Sequence, residues 1–340
     1  MENQLLTNNS DFLFLYEAIQ CNPNGDIDQE NRPRMDYDND INLVTDVRLK
    51  RYVRDFLKAT GQDIFVDMEG ENKVSPDSKL KAVLLRLLAN ENDMKIFFEG
   101  KETLQKKFDD LKEKNKGKSG EEIIKFMQDK KNKELCFDLN HALLAHLVKQ
   151  KFIDIRFFGS AFAIEGFTRS YTGPIQLNWG YSLHKVQIMD SSSIVTIMND
   201  GNSTIGKDYR VHYSLLGFVG SINKYAAMST GLTNEDVELF RKALWESIPA
   251  LPTRSKMNQY PKLYVEVIYN EGFNNGYFGD MRQFLAVSPN NGLEEKQIRK
   301  YADLTLNAQK LIDILKVNTG EGKAVKEVKI KTAEGVSFTI

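Results

Sequence analysis

Residues 77–150 read as helix throughout, and strand-like segments lie on both sides of them. A chain with strands before and after so long a helical block is neither a helix bundle nor an all-β sandwich. It is an α+β fold carrying a helical insertion. Charge is dense inside the block, where residues 101–134 hold eleven lysines and eight acidic side chains. That mixture of signs describes solvated helices or a mobile insertion, not a focused binding patch. Residues 139–149 then restore an apolar stripe with a packing partner to find.

Residues 12–19, FLFLYEAI, have the apolar and aromatic density of a buried strand. They run into CNPNGDID, where Pro23, Asn24 and Gly25 break regular structure. Residues 43–59 predict a helix with Thr45 as N-cap and Gly61 as stop. At about 100° per residue, Leu49, Tyr52, Val53, Phe56 and Leu57 share one face. Lys50, Arg51, Arg54 and Lys58 share the other, with Arg48 at its margin and only Asp46 and Asp55 opposing them. This is the clearest cationic face in the chain, although a solvated helix surface has the same composition.

After the helical block, residues 151–163, 173–189 and 209–219 read as strands. The polar stretch 190–208 contains the turn NDGNS and predicts a hairpin that extends beyond the sheet, spanning 189–210. Residues 233–248 predict a helix, with Thr233 capping and Asp236 in the reciprocal position. Residues 262–269 return to strand alternation, and the tail, with KEVKIK and VSFTI, reads as a last hairpin. With the insertion at 77–150 set aside, the order fits a β-α-β-β-α-β plan in one domain over residues 1–340.

The formal net charge of −1 is not that of a strongly basic nucleic-acid-binding domain, so the placement of charges must decide. No apolar run approaches the roughly 20 residues that cross a bilayer. The polar start lacks the pattern of a signal peptide, and Cys21 and Cys136 form no redox or metal motif. The chain therefore reads as cytoplasmic, with no membrane contact.

Three sets of residues resemble catalytic or metal motifs. Residues 201–208, GNSTIGKD, depart from a phosphate-binding loop at Asp208, and the segment that follows is strand-like where the motif needs a helix. A tight turn in a hairpin accounts for them better. His141, His146, His184 and His212 read as core or surface histidines. Asp26, Asp28, Asp36, Asp38 and Asp40 cluster after the first strand. They either hold a divalent ion for phosphodiester cleavage or serve turns and helix flanks, the simpler reading, since they lack the spacing of a calcium loop. No metal, cofactor or catalytic residue is assigned, and the chain is not read as an enzyme.

Several segments together resemble one family. Residues 22–26 (NPNGD), 32–36 (RPRMD) and 43–51 (LVTDVRLKR) look like the N-terminal signature of the Cascade backbone subunit of type I-B and I-C CRISPR systems. Residues 159–176 (GSAFAIEGFTRSYTGPIQ), with the NWGYSLH run after them, resemble its central signature. Residues 206–213 (GKDYRVHY) and 252–257 (PTRSKM) resemble later blocks, nearest to type I-B. The matches span roughly residues 12–270, and their order makes them specific where each alone is weak.

The resemblance implies a hand-shaped member of the RAMP superfamily: an RRM-like (ferredoxin-like) palm, helical fingers at 77–150 and a β-hairpin thumb at 189–210. It implies a guide-RNA-binding subunit that stacks with copies of itself into a helical filament, beside other Cascade subunits. Each thumb pushes a nucleotide out of register, the guide pairs with one strand of invading DNA, and a separate nuclease cuts. A protein serving every guide contacts phosphate and sugar and leaves sequence to base pairing.

The RNA-binding candidates follow from these segments. Arg48, Lys50, Arg51 and Arg54 suit a single-strand backbone, and replacing Lys50, Arg51 and Arg54 with alanine should shrink the salt dependence of binding. Asn22, Asn24 and the amides around Gly25 suit phosphate or ribose oxygens. Arg34, the Arg169, Ser170 and Tyr171 set, Lys207, Arg210, Arg254 and Lys256 complete the list. Ile194, Val195, Ile197 and Met198 in the thumb either wedge between bases and seat on a neighbouring copy, or pack on the chain's own sheet. Two other functions stay open: a metal-dependent ribonuclease using Asp26 or Asp36, and a filament protein with no RNA.

Overall fold

The computed structural model describes residues 4–340 apart from 70, 71, 74, 165, 190–192 and 198–202. Two compact units emerge. One comprises Thr7–Phe56, Ile175–Lys224 and Val237–Ile340; the other is built from Leu57–Pro174 and Tyr225–Asp236, together with the described residues before Thr7.

The first unit is organised by an antiparallel sheet of eight strands: β1 (Ser10–Cys21), β2 (Met35–Asp36), β3 (Ile41–Val44), β4 (Ile175–Leu177), β5 (Gly180–Ser182), β6 (Val211–Ile222), β7 (Gln259–Tyr269) and β8 (Val325–Thr332). Their order across the sheet is β8-β7-β1-β6-β5-β3-β2, with β4 also beside β6. The central strand β1 is buried on both faces, so it reads as a continuous apolar run rather than an alternation. Phe14 stands opposite Phe218 on one side and Tyr264 on the other.

The pleat sends Phe12, Phe14 and Tyr16 to one face. There Phe12 meets Phe240 edge-on at 5.6 Å and Phe14 meets Trp245 at 6.5 Å, both from the Asn234–Ala250 helix. Leu13 and Leu15 go to the other face, with Val265, Leu311 and Leu315. Each large side chain buried in this way contributes about 1.5–3 kcal/mol. The helix expected from residue 43 begins at Asp46, because Leu43 and Val44 pair with β5 as strand. Its expected apolar face, Leu49, Tyr52, Val53, Phe56 and Leu57, is buried, and Thr45 caps it through a 3.2 Å bond from the Arg48 amide.

The second unit is mostly helical, with helices at Pro76–Ala89, Glu91–Phe98, Glu102–Lys114, Gly120–Gln128 and Lys133–Gln150. Leu80, Leu84, Phe97, Phe108, Leu143, Leu144 and Leu147 form its core. Residues 153–158, expected as strand, are the short helix Ile153–Phe158. The hairpin of Gly159–Ile164 with Phe167–Thr172 follows. Thr233 and Asp236 close the expected reciprocal cap, and Arg156 grips the Asp236 carboxylate with two bonds of 2.8 and 2.9 Å.

Gly159 marks the corner into that hairpin at φ +70, and a Cβ there would lie 2.2 Å from the Tyr171 carbonyl oxygen. Both the backbone conformation and the space exclude a side chain. Gly159→Ala should cost about 2–3 kcal/mol, read as an earlier urea transition in helical circular dichroism.

Within the stretch expected as a projecting hairpin, Ser193–Ile197 pairs antiparallel with Ser203–Lys207 as a two-stranded sheet of its own. Met198 and the turn lie outside the described residues. The tail is not a separate hairpin: β8 joins the main sheet beside β7. No helix among the described residues is long and apolar enough to cross a membrane.

Candidate nucleic-acid interface

Where β1 ends, Gln20 turns into the left-handed region (φ 45) and the chain enters an irregular loop. Irregular backbone needs hydrogen-bond partners that no ladder provides, and the loop asparagines supply them. The Asn22 side chain is 2% exposed and donates to the Asn31 carbonyl at 2.7 Å. Asn24 Oδ1 accepts from the Thr45 amide at 2.8 Å and from the Thr45 hydroxyl at 2.9 Å, fastening loop to helix start. Both side chains, expected at phosphate or ribose oxygens, thus help shape the loop. Gly25 pairs with Pro33, and a Cβ on it would stand 1.8 Å from Asn31 Oδ1.

Cations gather around this loop from four places in the sequence. Arg32 lies over the Tyr209 ring at 4.6 Å and reaches its hydroxyl at 3.3 Å. The same hydroxyl donates to Glu30 at 3.1 Å, and Lys207 joins Glu30 at 2.8 Å. These two bonds hold the Glu30 carboxyl below its usual range. Arg34 pairs with Asp26 at 3.2 Å and faces the half-exposed Trp179 at 5.8 Å. Arg210 and Arg254 share one carboxylate, Asp208, at 2.8 and 3.0 Å. Arg48 covers Tyr52 at 4.0 Å, and Lys256 donates to the Asn22 carbonyl.

Of the seven cations in this set, four pair with the three carboxylates Asp26, Glu30 and Asp208, and three keep no ion pair among the described residues. The residual positive charge is local, which is how a chain of net charge −1 still presents a surface to a polyanion. Burial, then the nearby Arg48 charge, pulls the Lys256 ammonium down to about 8. Burial pushes the Cys21 thiol up to about 12.

Arg32, Tyr209 and Trp179 belong to this cluster and were not among the sequence candidates. All three lie inside the quoted segments RPRMD, GKDYRVHY and NWGYSLH. The contact that unites Arg32 with Tyr209, however, spans 177 positions. The near phosphate-binding loop ends in strand, and its Asp208 serves two arginines.

Other candidates fall elsewhere. On the helix face, Lys50 pairs with Asp46 at 2.9 Å and Arg51 with Asp55, while Arg54 is half-buried. Arg169, Ser170 and Tyr171 lie in the helical unit. The Tyr171 ring is 4% exposed in that unit's core, with Arg169 against it at 4.9 Å.

The aspartates after β1 are dispersed. Asp26 holds Arg34, Asp40 holds Lys296 at 2.8 Å, and Asp36 accepts from the Asp38 and Asn39 amides and the Asn39 side chain. Those bonds, the Asn39 side chain first, lower the Asp36 carboxyl. Among the described residues no three His, Cys, Asp or Glu side chains gather as a metal site.

An α+β chain whose arginines and lysines converge on one loop cluster has the charge placement that binders of phosphate backbones use. The family model for CRISPR-associated protein Cas7 matches residues 8–309, and the chain belongs to that family. It is 29% identical over 331 residues to the CRISPR-associated protein Cas7 of Haloferax volcanii, covering 91% of this chain and 83% of that protein. Among solved structures, a chain of a CRISPR RNA-guided surveillance complex, pre-nicking, aligns at TM-score 0.46 and 12% identity over 78% of this chain and 79% of its own. A chain of a CRISPR RNA-guided surveillance complex aligns at 0.45 and 11% over 97% and 91%.

Proposed function

We propose that this Cas7-family chain binds CRISPR guide RNA as the repeated backbone subunit of a type I Cascade surveillance complex, of subtype I-B. The observation that carries the reading is the convergence of Arg32, Arg34, Arg48, Lys207, Arg210, Arg254 and Lys256 on the loop after β1, with too few carboxylates to neutralise them. These groups suit phosphates of any sequence, so recognition is delegated to the guide's pairing with a target DNA strand.

The order β7-β1-β6-β5, with helices after β1 and before β7, supports an RRM-like palm of β-α-β-β-α-β plan. The helices from Pro76 to Gln150 are then the fingers, and the Ser193–Ile197 and Ser203–Lys207 hairpin the thumb. Partners are further copies in a filament and the other Cascade subunits, in the cytoplasm. The role is non-catalytic, a reading supported by the ion pairs and turns that already engage Asp26 and Asp36.

The test is to purify the chain with the products of its neighbouring genes and sequence the bound nucleic acid. Repeat-spacer RNA of uniform length, intact after magnesium addition, is the expected result. Magnesium-dependent cleavage abolished by Asp26→Ala or Asp36→Ala would replace this reading with the ribonuclease one. Filaments free of RNA would replace it with the structural one.

A further inference from the structure

The ammonium of Lys256 sits where the end of β1, the first turns of the Asp46–Ala59 helix and the loop before β7 meet, within the sheet unit. It donates to the Asn22 carbonyl, which engages one of its three protons. The groups that face it are Cys21 from β1 and Arg48 from the helix, with Arg210 acting on Cys21 from before β6. Among the described residues no carboxylate forms an ion pair with Lys256 or Arg48. The pair is also held rigidly from below. Gln259 Nε2 donates to the Lys256 carbonyl at 2.7 Å and to the Tyr52 hydroxyl at 3.1 Å, and Arg48 lies on that tyrosine ring.

Arg48 Nε is buried without a hydrogen-bond partner. A buried donor left without an acceptor is costly, so it marks a place where something else accepts. Two cationic side chains with unused donors and no counter-charge form half of an anion site. A carboxylate of the chain supplies that charge elsewhere in the cluster, as Asp208 does for Arg210 and Arg254.

We propose that Lys256 and Arg48 seat one backbone phosphate of the RNA, and that seating it takes up a proton on Lys256. The inference rests on the guide-RNA reading and adds a linkage to it. In the free protein Lys256 gives up its proton near pH 8, because burial and Arg48 disfavour its charge. A phosphate beside it favours the charged form and raises the pKa again. Below about pH 8 the ammonium is already present and binding takes up nothing. Above it, up to the raised value in the complex, each pH unit weakens binding by up to about tenfold. Cys21 stays a neutral thiol across this range.

The probe is a short labelled RNA of adenosine and cytidine only, whose bases do not titrate between about pH 7 and about pH 9.5, followed by fluorescence anisotropy. The wild-type dissociation constant should hold to about pH 8 and then rise by up to about tenfold per unit. K256R carries a guanidinium that keeps its charge, so its profile should be flat whatever affinity it retains. Calorimetry of the wild type near pH 8.5, in two buffers of different ionisation enthalpy, should show net proton uptake. A flat wild-type profile, no proton uptake, or K256R rising in parallel with the wild type would overturn the inference. RNA bound at pH 7 with no such dependence leaves the guide-binding reading standing, whereas no binding at any pH removes both.

Discussion

Glu266→Ala should lower the stability of the sheet unit by about 3–5 kcal/mol, the cost of stripping one partner from a buried ion pair. Glu266 lies on β7 opposite Phe12 and is fully buried. Its oxygens accept from Ser10 Oγ at 2.6 Å, Tyr264 Oη at 2.7 Å, and Arg241 Nε and Nη2 at 2.6 and 2.8 Å. Without the carboxylate, a largely buried guanidinium keeps, among the described residues, only Glu238 as an ion-pair partner, half-exposed at 2.7 Å and shared with Lys329. Glu266→Gln keeps the acceptor and loses the charge, so it should fall between wild type and alanine. Both tryptophans, Trp179 and Trp245, belong to this unit, so their fluorescence in a urea titration reports it selectively. A midpoint unchanged in Glu266→Ala would show that the guanidinium is solvated after all.

Residues that answer to local rules were legible in advance. The buried run of β1, the apolar face of the Asp46–Ala59 helix and the Thr233–Asp236 cap all follow from neighbours within a few positions. Pairings made at long range were not. Leu43 and Val44 continue a helical pattern on paper, yet they join the sheet because Tyr181 and Gly180 lie beside them.

Residues 153–158 are an apolar run that fits strand or helix equally. What fixes the helix is tertiary: Asp154, fully buried, accepts from the Phe65 and Val66 amides at 2.7 and 3.0 Å. The site divides the same way. Its basic residue types were visible in short segments, but which carboxylate neutralises which cation was not. Asp208 sits beside Arg210 in sequence and equally binds Arg254, 46 positions away. The helix face looked most cationic because its own acids, Asp46 and Asp55, were not yet assigned to Lys50 and Arg51.

That difference sets the largest expected effect on RNA binding. The triple variant Arg32→Ala, Arg48→Ala, Arg254→Ala should flatten the dependence of log affinity on log salt by roughly 2, at about 0.7 per phosphate contact on a single strand. At about 0.15 M salt the same term weakens binding roughly fiftyfold. Two of the three lean on tyrosine rings rather than on carboxylates, and the third shares its carboxylate with Arg210. Their charge is therefore available to phosphate with little to displace.

Lys50 and Arg51 each hold an acid one turn away, so a phosphate must compete with a partner already at hand. The variant Lys50→Ala, Arg51→Ala, Arg54→Ala should change the slope by less than the loop triple does. Anisotropy titrations of both variants at several salt concentrations decide the matter. If the helix triple flattens the slope more, the backbone runs along the helix face and the loop cluster is only a structural network. If the loop triple does, the guide's phosphates cross the end of β1, where the chain has gathered cations faster than it has supplied acids to quiet them.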